Sequence, residues 1–397
     1  MKKVMKWSAW MLMGGLLTLG LPGCGDDDDP QYEDVVPDAP AVTISTHGIS
    51  GVVSAISGDP ISGATVTASA SGKTFTATTG EDGTYTINEV SATGAVTVTV
   101  SAEGKQDGSA EVSIPSDGKA HQVAANFVLA NVAQTVAFTG EEQTIAVEVE
   151  KSNEVAEEDA VTIDLNVPAG AAEGEIELMP IYAGDENSNL RAAQQMVISG
   201  LKLDRKSDNA KINKAIPTKF NVGKEIAAGC KVLANHGEGA KEISFSIDGD
   251  NVAFDVDDFG SYTIVADIEV SESTSSSPIS VSGSFDNLNG SSDLTVGSIS
   301  YTYKIGGELD APKGKAAAML HSILSGKVNG SKVKEATGSY PLNLVLPAGT
   351  AASVSGSQSV TKVTVSGFGT SMSATTYGGV SISISTYNRN HNGGSVG

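Results

Sequence analysis

The 397-residue chain has two cysteines, five histidines and only 5% aromatic residues, and both of its tryptophans, Trp7 and Trp10, fall at the very start. Each scarcity excludes something. With Cys24 and Cys230 alone there is no disulfide framework, so stability must rest on packed cores, and the length allows two to four domains. Without tryptophan beyond position 10, a sugar-binding surface would have to stack its ligand on tyrosine. Cations are also few: 25 Lys and Arg stand against 47 Asp and Glu, a formal net charge of −22. Such a chain has no means of binding nucleic-acid phosphates and no attraction to anionic lipid surfaces; its charge mainly confers solubility. His47, His121, His236, His321 and His391 are far apart in sequence. None pairs with another at a metal-ligand spacing, and no His-Glu-x-x-His is present. No cofactor is expected.

The first residues form an export signal. Lys2, Lys3 and Lys6 precede an apolar stretch from Trp7 to Leu21 that is too short to span a bilayer comfortably. Leu21-Pro22-Gly23-Cys24 follows and resembles the bacterial lipobox, in which the cysteine is diacylated and becomes the mature N-terminus. The resemblance implies a signal peptide over 1–23 and a membrane partnership through lipid on Cys24. Each buried acyl methylene is worth about 0.8 kcal/mol, so two or three chains anchor a protein stably. Asp26, Asp27, Asp28 and Asp29 come next, four carboxylates that repel and stay solvated. Acidic residues at this place resemble the surface-export signal of Bacteroidetes lipoproteins; a plain tether is the simpler alternative. Together these features imply an outer-membrane, lipid-anchored protein facing the cell exterior.

Beyond an acidic, Pro-rich tether over 24–46, period-two runs such as Ala95-Val96-Thr97-Val98-Thr99-Val100 recur between Gly and Asp turns. The pattern predicts a mostly β protein built as tandem β-sandwich domains, with a C-terminal β-rich unit carrying one helix. The first unit, 47–130, contains Ile49-Ser50-Gly51-Val52-Val53, Gly58-Asp59-Pro60-Ile61-Ser62-Gly63-Ala64 and Thr78-Thr79-Gly80-Glu81-Asp82-Gly83-Thr84-Tyr85-Thr86-Ile87. These motifs resemble the carboxypeptidase regulatory-like domain, a transthyretin-like or CnaB-like sandwich, and the resemblance implies a helper fold without catalysis. Gly51 predicts a close backbone approach, Asp82-Gly83 a hairpin, and Tyr85 and Ile87 inward side chains. Some CnaB-like sandwiches carry a lysine–asparagine isopeptide bond, which needs a buried lysine, asparagine and acid. Lys73 and Lys105 sit in polar, turn-like contexts and read as exposed, against such a bond here.

The second unit, 131–270, has strands at Gln143–Val149 and Val161–Val167, then Pro168-Ala169-Gly170-Ala171 and a closing Phe259-Gly260-Ser261-Tyr262 strand. That order resembles a ZU5-type sandwich, with Asp258 where such domains often carry His. The Ser-rich stretch 271–278 reads as a linker. The last unit, 279–397, has strands at Leu342–Leu346, Val360–Ser366 and Val380–Ser385 and one predicted helix. Asp310 is its candidate N-cap and Gly326 its end, with Met319, Leu320, Ile323 and Leu324 on one apolar face.

Chemistry-bearing candidates are few. Asp248, Asp250, Asp255 and Asp257, with Asp258, form an acidic cluster that supplies oxygens for calcium. The same stretch also reads as a hairpin turn at Asp248-Gly249-Asp250-Asn251. Tyr301, Tyr303, Tyr340, Tyr377 and Tyr387 are the candidate ligand-binding aromatics; packing in a sheet is their simpler role. Gly393-Gly394-Ser395-Val396-Gly397 matches a nucleophile elbow in letters only, since no helix, acid or histidine follows it. No catalytic residue is assigned and no enzyme is expected. The composite expectation is a non-catalytic envelope lipoprotein presenting a C-terminal binding or adhesion module, with a glycan or another envelope protein as partner. A glycan-binding accessory lipoprotein of a surface polysaccharide-uptake system is the alternative.

Overall fold

Residues that alternate small apolar and hydroxyl side chains form pleated strands with one face turned inward. The computed structural model describes residues 46–184, 195–287, 294–328 and 333–388. The leader, Cys24, Asp26–Asp29, His391 and the Gly393–Gly397 tail lie outside these residues.

The first sandwich comprises β1 (His47–Ala55), β2 (Thr65–Ala70), β3 (Lys73–Thr78), β4 (Thr84–Val90), β5 (Gly94–Ser101), β6 (Gly108–Ile114), β7 (Ala120–Ala124) and β8 (Phe127–Leu129). A four-stranded sheet, β3-β2-β5-β6, packs on a layer containing β4, β1, β7 and β8. Val66, Ala68, Val96, Val98 and Val100 share its core with Ile49, Val53, Tyr85 and Ile87. Tyr85 and Ile87 thus point inward as the alternation requires. A Cβ on Gly51 would lie 1.8 Å from the Ala125 carbonyl oxygen, so the close approach read from the sequence is present. Asp82-Gly83 makes a turn, with Gly83 at φ +75° and its N–H donating to the Gly80 carbonyl. It is not a hairpin, because β3 pairs with β2 while β4 pairs with β1. The turn carries the chain between layers, which local sequence does not specify.

The second sandwich comprises β9 (Gln134–Thr139), β10 (Gln143–Val147), β11 (Thr162–Val167), β12 (Ala172–Ile181), β13 (Gln195–Arg205), β14 (Lys211–Ile212), β15 (Ile216–Asn221), the short α1 (Lys224–Ala227), β16 (Cys230–Asn235), β17 (Lys241–Glu242), β18 (Ser246–Asp248), β19 (Asn251–Val256) and β20 (Gly260–Asp267). Five strands in the order β10-β11-β15-β19-β18 face a seven-stranded sheet built on β14-β12-β13-β20-β16-β17, with β9 on β12. Tyr262 is fully buried; its hydroxyl donates to Asp257 Oδ1 at 2.9 Å and accepts from the Asp257 and Asp258 amides. Cys230 is a buried free thiol.

The rest of the chain does not form a third separate domain. β21 (Glu269–Ile279), β22 (Val281–Ser282), β23 (Ser284–Asp286), β24 (Leu294–Ile305), β25 (Gly307–Leu309), α2 (Lys315–Val328), β26 (Lys334–Leu346), β27 (Thr350–Gly367) and β28 (Thr370–Asn388) insert into both sandwiches. β28 pairs with β7 through Val380, Ser381 and Ile382. A nine-stranded sheet is therefore built on β21-β27-β28-β7-β1-β4, with β23 on β27, β25 on β28 and β8 on β1, joining the two ends of the described chain. β1 is buried along its whole length because its faces enter different cores. Ile49 and Val53 face the first sandwich, whereas Val52 packs with Tyr301, Tyr303, Leu344 and Ile382.

Two expectations are corrected here. The Ser-rich stretch read as a linker over 271–278 lies inside β21, an edge strand whose residues from Glu269 to Ile279 pair one for one with Ser366 to Gly356 of β27. Its bonds are made by backbone, so its exposed hydroxyl side chains resemble those of a spacer. The helix begins at Lys315 rather than beside Asp310, which is exposed, and it runs past Gly326 to Val328. At its start the Ala318 N–H bonds to the Gly314 carbonyl, while the Gly314 N–H bonds to Asp159 Oδ2. The apolar face is as read: Met319, Leu320, Ile323 and Leu324 are buried, in the core of the second sandwich. Among the described residues no helix is long and apolar enough to cross a membrane.

Candidate functional site

Of the candidate tyrosines, Tyr301, Tyr303 and Tyr340 are core residues, 5%, 4% and 8% exposed. They are not ligand platforms, because the first sandwich covers the sheet face they occupy. Burial pushes the Tyr301 and Tyr340 phenols upward. Tyr377 is half-buried and Tyr387 is 40% exposed near the end of β28.

Tyr377 lines a groove of about 450 Å³ together with Ser275, Ser277, Lys304, Glu335 and Gln358. Local sequence explains its placement. The β27–β28 register slips between Gln358 and Val360, opposite the pair Gly378-Gly379. A Cβ on Gly378 would come within 2.3 Å of Ser359 Oγ, so any larger residue there would make the Ser359 hydroxyl turn aside. Such a bulge re-aims neighbouring side chains. Gln358 is buried and fixed: its Oε1 accepts from the Lys304 N–H at 3.0 Å, and its Nε2 donates to the carbonyls of Lys304 and Gly378. The Lys304 ammonium sits 5.1 Å from the Tyr377 ring centroid, a cation–π contact. Lys304 and Glu335 are cross-strand neighbours on β24 and β26. The groove thus offers one aromatic ring, one cation, one carboxylate and several hydroxyl and amide groups. Two of the five candidate tyrosines, Tyr303 and Tyr377, meet at this groove, with the aromatic body of Tyr303 turned to the core.

The acidic candidates do not converge. Asp248 and Asp250 flank the β18–β19 hairpin turn, where Gly249 has φ +59°. Asp257 lies past the far end of β19, about 20 Å away by strand rise. Its Oδ1 accepts from Tyr262, and Asp258 Oδ1 accepts from the Phe259 amide. Asp255 is exposed on β19. Among the described residues no group of three or more His, Cys, Asp or Glu side chains forms a metal site.

One polar cluster was invisible to spacing. His47 on β1 and His121 on β7 stack at 5.8 Å between ring centroids. His121 Nε2 pairs with Asp117 Oδ1 at 2.7 Å, and its Nδ1 lies 3.1 Å from Ser381 Oγ of β28. Burial, then the neighbouring His121, holds the His47 imidazole below its usual value, opposed by Asp117. The cluster sits where β1, β7 and β28 join; only the sheet pairing brings its members together.

Residues 48–130 match the carboxypeptidase regulatory-like domain family. The first sandwich is such a domain. No curated protein matches the chain. Among solved structures, the chain is similar to a Bacteroides vulgatus protein provisionally described as a pore-forming toxin, with 11% identity, coverage of 89% of this chain and 95% of that one, and a TM-score of 0.33. It is also similar to a Bacteroides fragilis protein provisionally described as membrane-associated and of unknown function, with 14% identity, 88% and 100% coverage, and a TM-score of 0.37. A variant of the major pilin subunit of Bacillus cereus matches with 9% identity, 77% and 70% coverage, and a TM-score of 0.19. All three scores are below one half, and none of these likenesses assigns a function.

Proposed function

We propose that this chain is a non-catalytic envelope lipoprotein, held through lipid on Cys24 at the outer membrane and facing outward, that binds a partner through the groove around Tyr377. The leader, the lipobox-like Leu21-Pro22-Gly23-Cys24 and the run Asp26–Asp29 support the location. The carboxypeptidase regulatory-like domain supports the helper role. The observation that carries the binding role is Tyr377 itself: a half-buried ring beside Lys304, in a groove otherwise lined by hydroxyl, amide and carboxylate groups. Binding sites typically pair a flat apolar surface with a few fixed polar groups.

The same lining favours a polyhydroxylated ligand, which is the glycan-binding reading of the protein. A sugar face stacks on an aromatic ring while its hydroxyls exchange bonds with Glu335, Ser275 and Ser277. Titrating a panel of soluble polysaccharides against the wild-type protein and Tyr377→Ala tests it. Retention of at least one polysaccharide, weakened tenfold or more by Tyr377→Ala, supports the reading. Equal affinity of the two proteins removes the groove from the binding role.

A further inference from the structure

Six large apolar side chains are exposed among the described residues, and three of them gather at one end of the molecule. Leu294 is 37% exposed, Val345 42% and Tyr387 40%, on β24, β26 and β28. Val132, Ile247 and Val270 stand apart from them, beyond β8, on β18 and on β21. Scattered apolar residues are ordinary on a surface, whereas a group of them marks a contact. Register brings the three together. Ala351 pairs with Tyr387 at the start of the β27–β28 ladder, and Leu294 pairs with Leu346 beside Val345. The short turn from Leu346 to Thr350 joins these two places, and Asn287 fixes it. Its Nδ2 donates to the Leu346 carbonyl at 2.7 Å, its N–H donates to the Thr350 carbonyl at 3.0 Å, and its carbonyl accepts from the Gly349 N–H at 2.8 Å. Leu344 and Leu346 share a core with Ile382 and Ile384. Pleating therefore turns Val345 outward on one flank of this end and Tyr387 outward on the other. Leu294 lies between them, at the first residue of β24.

The N-terminus of β1 opens at the same end. β1 and β7 are parallel, with Gly48 beside Gln122, and β28 runs antiparallel to β7, with Ile382 opposite Ala120. Beyond Ile382, β28 therefore continues past the first residues of β1, and Tyr387 lies about 17 Å beyond the level of Thr46 by strand rise. Cys24 is 22 residues before Thr46 in the chain. At most about 75 Å of extended chain thus separates the cysteine from this end. Tyr377 is ten residues back along β28 from Tyr387, about 33 Å farther from this end.

We propose that this end rests on the membrane that holds the lipid of Cys24, with Leu294, Val345 and Tyr387 dipping into its interface. The proposal rests on the lipid anchor at Cys24 and adds an orientation to it. A tether alone leaves the folded part free to turn; an apolar end beside the point where the tether joins removes that freedom. The two aliphatic side chains lose their contact with water, and the tyrosine ring suits the interface because its body is apolar and its hydroxyl polar. The insertion is shallow. Asp286 is exposed and lies across Ala351 from Tyr387, so its carboxylate stays at the level of the headgroups. The net charge of −22 opposes anionic lipid, so the fitting surface is a neutral one. In this orientation the Tyr377 groove stands clear of the membrane and faces outward.

The test is hydroxyl-radical footprinting of the lipoprotein purified from its native host and reconstituted in phosphatidylcholine vesicles. The reference is the same chain without lipid, residues 24–397 carrying Cys24→Ser, in solution. Mass spectrometry of the N-terminal peptide first establishes acylation of Cys24. The expected result is a severalfold loss of labelling at Leu294, Val345 and Tyr387 on vesicles, with Val132 and Ile247 labelled equally in both samples. Equal labelling of the three residues in acylated protein overturns this proposal and leaves the anchor standing. Equal protection of all five residues means general shielding and overturns it too. An unacylated Cys24 overturns the anchor and the proposal together. Both tryptophans lie in the leader, so Val345→Trp places a single indole in the processed chain. Its emission should shift to shorter wavelength on vesicles and be quenched by brominated acyl chains, with Val132→Trp unmoved. Emission from Val345→Trp that vesicles leave unchanged contradicts the proposal.

Discussion

The Tyr301 hydroxyl lies 3.0 Å from the side-chain amide of Gln122, a hydrogen bond between residues 179 positions apart. Gln122 sits on β7 in the first sandwich and is 4% exposed; Tyr301 sits on β24. With the amide oriented to donate to that hydroxyl, its oxygen accepts from the Ser50 N–H of β1 at 3.2 Å. One side chain therefore joins three strands from opposite ends of the chain. Replacing Gln122 with Ala leaves buried polar groups without partners, which costs about 1–3 kcal/mol. Urea denaturation should show the loss as a lower midpoint. Wild-type stability in Gln122→Ala would mean the contact adds nothing to the seam.

A fragment spanning residues 279–397 should not fold by itself. It lacks β21, the partner of β27, and β7, the partner of β28. It would also expose Met319, Leu320, Ile323 and Leu324, which complete the core of the second sandwich. Burying a side chain of that size stabilises by about 1.5–3 kcal/mol, all of which the fragment forgoes. Amide proton NMR of the fragment should show poor dispersion. A dispersed, cooperative spectrum would show that the C-terminal strands are self-sufficient.

How far the sequence could be read divides along the same line. Period-two patterning identified the strands, and the Gly51 and Tyr85 motifs identified the first sandwich, because these are local signals. The apolar stripe of α2 was equally visible. The pattern did not reveal what each face packs against. Tyr301 and Tyr303 have the same spacing whether their face meets solvent or Val52, and β21 shows its hydroxyl residues while its backbone pairs. The groove depends on a register slip at Gln358, and Lys105, read as exposed, is half-buried against Asn131 and Glu150 where loops of two sandwiches meet. Neither is encoded at short range.

Acid should weaken the fold through buried histidines. Burial holds His47 and the fully buried His321 below the ordinary imidazole value of 6.5. The groups acting on His47 are His121, which adds to the depression, and Asp117, which opposes it; Glu154 opposes the depression at His321. The unfolded chain then binds protons that the folded chain resists. Stability from this source is full above pH 6.5 and falls as pH drops below 6.5 toward the lowered folded values. Urea midpoints measured between neutral pH and pH 5 should fall, and His321→Gln should flatten the slope. An identical slope in that variant would remove His321 from the effect.

The reading of this protein rests on its place at the cell envelope, and Cys24 gives the most direct test. Wild-type and Cys24→Ser proteins are expressed in the native host, the membranes are separated, and intact cells are treated with external protease. The account predicts wild-type protein in the outer-membrane fraction and cleaved on intact cells, with Cys24→Ser either released from membranes or retained as uncut precursor. Identical processing and membrane partition of the two proteins would contradict it.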